Sequence, residues 1–241
     1  MKSGLVVITG ASSGFGMEIA KKFHSEGNPL LLLARRLEPM EALGFDNVMI
    51  RSVDVTCADQ VRNAVVEAEE VYGPVQLLVN NAGVMQLGNL WDQDPHEWET
   101  MMNVNVGGVL NGIRAVINGM IEREEGTIIN ISSIAGFKTF TNHAVYSATK
   151  FGVHALTETL RNEVSGSNIR VLLVSPGAAE TELLSHTTDK EIKDGYEKWK
   201  ETMGGKSMDP KYVAEVVSMM ANMPQEVSIR EVVIAPTKQD N

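Results

Sequence analysis

Residues 4–26 read GLVVITGASSGFGMEIAKKFHSE: an apolar run, a glycine-rich turn and an amphipathic stretch in immediate succession. Leu5–Ile8 has strand character, while Met17–Phe23 switches to helical spacing. The same alternation continues down the chain, with strand-like segments at Leu5–Thr9, Leu30–Ala34, Val48–Ser52, Leu77–Val79, Thr127–Ile131, Val171–Ser175 and Val232–Ile234 separated by helical stretches. Strands that alternate with helices predict an α/β domain, a doubly wound parallel sheet of about seven strands with helices on both faces. In such a sheet the ligand lies at the carboxyl ends of the strands. With 241 residues and no repeat, linker or low-complexity tract, the chain suits one domain that buries its core without disulfide or metal.

The turn carries chemistry of its own. Gly10, Gly14 and Gly16 let the backbone approach a pyrophosphate, Ser12 and Ser13 offer hydroxyls, and the helix that follows offers unpaired N–H groups and positive potential. The spacing is GxxxGxG, and a glycine turn can also serve geometry alone. At the end of the next strand, where a carboxylate accepting from ribose hydroxyls would favour NAD, the sequence is Ala34-Arg35-Arg36. Two guanidinium groups suit a 2′-phosphate through bidentate, charge-assisted bonds, so NADP(H) is the expected cofactor. Without the glycine turn, the same pair would read as solvated arginines at a loop start.

Further on, Tyr146 and Lys150 stand at i and i+4 in AVYSATKFGVHAL and share one helix face. A phenol with a pKa of roughly 10 exchanges protons poorly at neutral pH unless a nearby cation stabilises its phenolate. Lys150 is placed to be that cation, although a YxxxK match alone fits an ordinary solvated helix equally well.

Taken with TGASSGFG (residues 9–16), DVT (54–56), NNAG (80–83), NVNVGG with Asn105, ISSIAG with Ser133, and SPG (175–177), the chain resembles the short-chain dehydrogenase/reductases, a Rossmann-type family, over essentially its whole length. Within them, LLLLARR, LLSHTTDKEIKDGY and REVVIAPTKQ are similar to the NADPH-binding blue fluorescent proteins of bacteria. More distantly they resemble clavulanic acid dehydrogenases and the 3-hydroxy acid and sulfoacetaldehyde reductases.

The resemblance implies an NADPH-dependent oxidoreductase that reduces a small aldehyde, ketone or oxo acid by direct hydride transfer. The alternative it allows is a protein that binds NADPH with little turnover. It implies Tyr146 as general acid in reduction, Lys150 lowering its pKa and holding the nicotinamide ribose, and Ser133 donating to the carbonyl oxygen, with Ser132 as the possible confusion. Asn105, placed in a long helix, would hold a relay water. Gly10, Ser12, Ser13, Gly14, Phe15 and Gly16 would cradle the phosphates, Phe15 standing where the family usually has Ile and altering packing rather than phosphate contact. Arg35 and Arg36 would take the 2′-phosphate, Asp54 with Val55 the adenine, and Asn81, Ala82 and Gly83 the adenosine ribose. Pro176, Gly177 and Thr181 would close over the carboxamide, a helix cap being an equal reading of Thr181. A homotetramer, paired through the long helices after Asp94 and from Tyr146, is also implied.

A formal charge of −10 argues against nucleic acid as a partner. A single cysteine, Cys57, permits no internal disulfide and suits a reducing cytoplasm, as a buried or capping residue rather than a nucleophile. No apolar run approaches the roughly 20 residues that cross a bilayer, and the five histidines lack paired metal-ligand spacing. Ala178–Asp209 breaks the strand and helix rhythm: it is charged, carries Gly204-Gly205, and sets Ile192, Tyr196, Trp199 and Met203 on one helical face. Such a stripe is more often packing than function, yet its place directly after Gly177 predicts a substrate lid. Lys138, His143 and His186 are the polar groups expected to flank the pocket, where they would suit a small acidic substrate.

Overall fold

The computed structural model describes residues 4–203 and 207–239. Its strands are β1 (Leu5–Thr9), β2 (Leu30–Ala34), β3 (Val48–Ser52), β4 (Val75–Asn80), β5 (Gly126–Ile131), β6 (Ile169–Pro176) and β7 (Glu231–Ile234). Between them run helices α1 (Gly14–Ser25), α2 (Glu38–Glu41), α3 (Ala58–Tyr72), α4 (Pro95–Met102), α5 (Gly108–Arg123), α6 (Ala144–Glu163), α7 (Lys190–Thr202) and α8 (Lys211–Ala221). The strands make one sheet in the order β3-β2-β1-β4-β5-β6-β7, and every pairing is parallel. Chain order reverses between β1 and β4, which opens a crevice at the carboxyl ends of those strands.

Both faces of the sheet are covered, and the inner strands show why their sequences run apolar without alternation. Leu5, Val7, Leu31 and Leu33 pack with Val61 and Val65 of α3, Val109 and Ile113 of α5 and Val153 of α6. Their neighbours Val6, Ile8, Leu30 and Leu32 point the other way, onto Ile19 and Phe23 of α1 and Val213 and Val217 of α8. Burying such side chains stabilises by about 1.5–3 kcal/mol each, so the period of two on either face sets the register of the strands.

β6 begins two residues before the expected Val171 because it contains a buried cation. Arg170 is fully covered, donates from Nε and Nη2 to Thr127 Oγ1, and reaches the carbonyls of Met220, Ala221 and Met223 at the end of α8. A guanidinium there satisfies the orphan carbonyls of a helix terminus.

One expectation needs correction. Asn105 lies not in a regular long helix but in a π-helical turn, Asn103–Gly107, between α4 and α5. Such a turn shifts the backbone bonds out of the i to i−4 ladder.

Candidate active site

A cavity of about 1500 Å³ opens at the carboxyl ends of the strands, beneath the segment that follows β6. Its walls include Gly10, Ser12, Ser13, Gly14, Phe15, Arg35, Arg36, Asp54, Val55, Asn81, Ala82, Gly83, Ser133, Tyr146, Lys150, Pro176, Gly177 and Thr181. Of the residues expected at the site, Gly16 and Asn105 stand behind the wall, and Lys138 lies outside it, exposed after Phe137.

Gly10 and Gly14 adopt φ of +66° and +51°, a region glycine enters without strain. A Cβ on Gly16 would collide with the Gly10 carbonyl and the Asn81 amide, so Gly16 allows close approach of turn and helix rather than contact with a ligand. Two strand ends are tied together beside this turn. The Thr9 hydroxyl accepts from the N–H groups of Asn81 and Ala82, both at 3.0 Å, while Asn81 Nδ2 donates to the carbonyls of Thr9 and Gly10. Thr9 was not legible as a site residue, although it is the first letter of the glycine motif. Asp54 turns its carboxylate onto Thr56 N and Oγ1, which holds its pKa below the usual range and shapes the DVT turn.

At the β2 end Arg35 and Arg36 face the cavity. Arg36 donates to Glu182 at 2.8 Å and to Ser12 Oγ at 3.4 Å. Glu182 belongs to a 3-10 turn, Glu182–His186, capped by the Thr181 hydroxyl, so the cap reading of Thr181 holds together with its place in the wall. Arg36 holds the Glu182 carboxyl below its usual range.

The catalytic candidates meet on α6. Tyr146 and Lys150 are both buried, with the Lys150 ammonium 5.8 Å from the centroid of the Tyr146 ring. Burial pushes the Tyr146 phenol up to about 12, and a hydrogen bond with Ser133 acts in the opposite sense. Burial also brings the Lys150 ammonium down to about 8, and Nζ donates to the Ile131 carbonyl at 3.0 Å. Desolvation is thus the largest influence on the Tyr146 phenol. Between the two serines the geometry distinguishes plainly: Ser132 Oγ is turned to the Lys150 carbonyl at 3.4 Å, whereas Ser133 sits against the Tyr146 phenol.

Asn105 is buried, and its amide is fully engaged. Oδ1 accepts from Val84 N at 2.8 Å, and Nδ2 donates to Val84 O at 2.9 Å and to Thr149 Oγ1 at 3.1 Å. Thr149 in turn donates to the Tyr146 carbonyl, so Asn105 steadies the turn of α6 that carries Tyr146.

Sequence reading missed His154, one turn beyond Lys150 on the same helix face. It contacts Ser175 Oγ at 3.3 Å and Glu231 at 3.8 Å, directly behind Gly136. The spacing of Tyr146, Lys150 and His154 at four-residue intervals was the available signal.

The segment expected to form a lid borders the cavity. Ile192, Tyr196 and Trp199 of α7 line the cavity, and Met203 is buried below them. Gly204-Gly205 falls outside the described residues. Phe140 and His143 complete the aromatic wall opposite, with ring centroids 6.1 Å apart between His143 and Tyr196 and 6.2 Å between His143 and Tyr146.

The short chain dehydrogenase family model matches residues 4–192. The chain belongs to that family. It is similar to an uncharacterized oxidoreductase of Staphylococcus saprophyticus, 40% identical over 245 residues, covering 99% of this chain and 98% of that protein. The glycine betaine reductase ATRR of Emericella nidulans is 38% identical over 238 residues, which span 96% of this chain but 18% of that longer protein. Among solved structures, the closed form of serine dehydrogenase complexed with NADP+ superposes with a TM-score of 0.91 at 30% identity, covering 98% of this chain and 96% of that one. Among the described residues no helix is long and apolar enough to cross a membrane.

Proposed function

We propose that the protein is an NADP(H)-dependent carbonyl reductase for a small aldehyde, ketone or oxo acid. The observation that carries the reading is the half-buried Ser133 beside the buried Tyr146 and Lys150 at one end of the cavity, with the glycine turn and Arg35 and Arg36 at the other.

The walls fit NADP(H). At Gly10 a Cβ would meet the Ala82 backbone, so only glycine lets this turn pack against the end of β4, and the start of α1 would present its N–H groups to a pyrophosphate. Arg35 and Arg36 would hold the 2′-phosphate, Asp54 and Val55 the adenine, Asn81 to Gly83 the ribose, and Pro176, Gly177 and Thr181 the carboxamide. Bound there, the cofactor would supply hydride to a carbonyl carbon. Ser133 donates to the carbonyl oxygen and steadies its developing charge, and Tyr146 gives that oxygen its proton. Lys150, carrying positive charge below about pH 8, favours the phenolate left behind and would hold the ribose hydroxyls. The Asn105 clamp fixes the Tyr146 turn, and a water on the backbone of the neighbouring π turn would complete the relay from Lys150. Leu110 and Phe151, exposed by 46% and 43% on the long helices, fit contacts between subunits of a homotetramer, which a monomer mass by light scattering would contradict.

The test is NADPH consumption by purified protein across small aldehydes, ketones, oxo acids and sulfonated aldehydes, with Tyr146→Phe in parallel. Turnover lost in the variant supports the reductase. Bound, fluorescent NADPH without turnover on any compound would assign the chain instead to binding alone, as in the blue fluorescent proteins it resembles.

A further inference from the structure

The substrate end of the cavity has an uneven lining. Phe140, His143, Tyr196 and Trp199 form a continuous aromatic wall, with successive ring centroids 5.5, 6.1 and 5.2 Å apart, and His143 joins it to Tyr146. Aromatic faces carry negative potential and attract a cation within about 6 Å of the centroid. The imidazole of His143 is pushed toward its neutral form by burial, so it adds a ring rather than a charge.

The charged groups around the wall favour the same ligand. Among the described residues, the lysines and arginines that line the cavity are Arg35, Arg36, Lys150 and Lys200. Arg35 and Arg36 lie at the β2 end and Lys150 beside the reacting centre. Lys200 is ion-paired with Glu197 at 3.0 Å and with Glu180 at 3.5 Å. On the lid, Asp189 and Glu191 also line the cavity, and Glu191 shares one face of α7 with Gly195 and Trp199 at four-residue spacing. An anionic substrate would meet paired cations and carboxylates there, whereas a cationic one would meet aromatic faces and acids.

We propose that the substrate is a small aldehyde or ketone whose other end is a quaternary or alkylated ammonium group, seated against Tyr196 and Trp199 with Phe140 and His143 completing the cage. This rests on the reductase reading above and departs from the expectation of a small acidic substrate. The reaction balances as one carbonyl compound, one NADPH and one proton giving one alcohol and one NADP+. The ammonium group keeps its charge throughout and remains on the cage.

The experiment compares trimethylammonioacetaldehyde with its uncharged isostere 3,3-dimethylbutanal and with sulfoacetaldehyde, taking kcat/KM per unhydrated aldehyde. The cation is expected to exceed the neutral isostere by roughly tenfold, in keeping with a desolvated cation–π contact, and the anion by more. In Trp199→Leu, with the fold checked by circular dichroism, the ratio of kcat/KM for the cation to that for the neutral isostere should fall toward unity, whatever loss the two aldehydes share. Tetramethylammonium should inhibit the wild-type protein competitively against aldehyde, a readout that needs no variant. Equal or better use of the neutral aldehyde, or preference for the sulfonate, overturns the proposal while the reductase reading stands. Reduction of none of the three, with turnover also absent across the wider panel, removes the reductase reading itself.

Discussion

Replacing Lys150 by Met should make the cofactor-free protein more stable and inactive at once. Its ammonium is buried beside Tyr146, and burial brings its pKa from 10.5 to about 8. At about 1.4 kcal/mol per tenfold, that fall corresponds to roughly 3 kcal/mol of cost for keeping the charge in the folded chain. The bond from Nζ to the Ile131 carbonyl is lost in the variant, which offsets about 1 kcal/mol. A net gain of about 2 kcal/mol raises Tm by about 4–8 °C for a chain of this size. The sign follows from protons bound. Below about pH 8 both folded and unfolded chains carry the charge and the whole cost is present, and between about 8 and 10.5 the unfolded chain binds more protons, so wild-type stability recovers as pH rises. Scanning calorimetry of the two proteins without cofactor, at steps from pH 7 to pH 10.5, should show a gap that closes across that window. A wild type that melts above the variant at pH 7, or a gap that does not change with pH, refutes the reasoning.

Other substitutions probe the remaining parts of the site. Arg36→Ala should weaken NADPH binding by roughly tenfold or more, from the loss of a charge-assisted contact, and leave NADH within about twofold; equal losses for both, by fluorescence titration, would contradict a 2′-phosphate site. Gly16→Ala drives a methyl group into the Gly10 carbonyl and the Asn81 amide, so Tm should fall and NADPH affinity with it, whereas unchanged affinity would show that the turn tolerates displacement. Arg170→Met leaves Thr127 and three carbonyls at the end of α8 without their donor and should cost about 2–4 kcal/mol in urea unfolding, with kcat preserved in protein that remains folded.

Much of the fold was legible because both faces of the sheet are covered. Leu5–Thr9 and Leu30–Ala34 are uninterrupted apolar runs, and their bounds in the structure match the sequence expectation. β6 instead takes in a residue that breaks such a run, Arg170, whose buried hydrogen bonds take the place of apolar packing. The cavity wall was legible wherever a residue's type is demanded by its chemistry, as with Tyr146, Lys150 and the arginine pair. What stayed hidden depends on pairs distant in sequence. Glu182 reaches Arg36 across 146 positions, and the Asn105 amide clamps Val84 and Thr149 instead of facing the cavity. The π turn that carries Asn105 left no mark in the periodicity because it interrupts a helix that is continuous on either side.

The most direct test of the central claim follows the hydrogen itself. With NADPH deuterated at the transferring C4 position and an aldehyde found in the panel, mass spectrometry of the alcohol should show one deuterium on the carbinol carbon for the wild type and almost no product for Tyr146→Phe under the same conditions. Alcohol formed without deuterium, or formed at the wild-type rate by the variant, would contradict direct hydride transfer assisted by Tyr146.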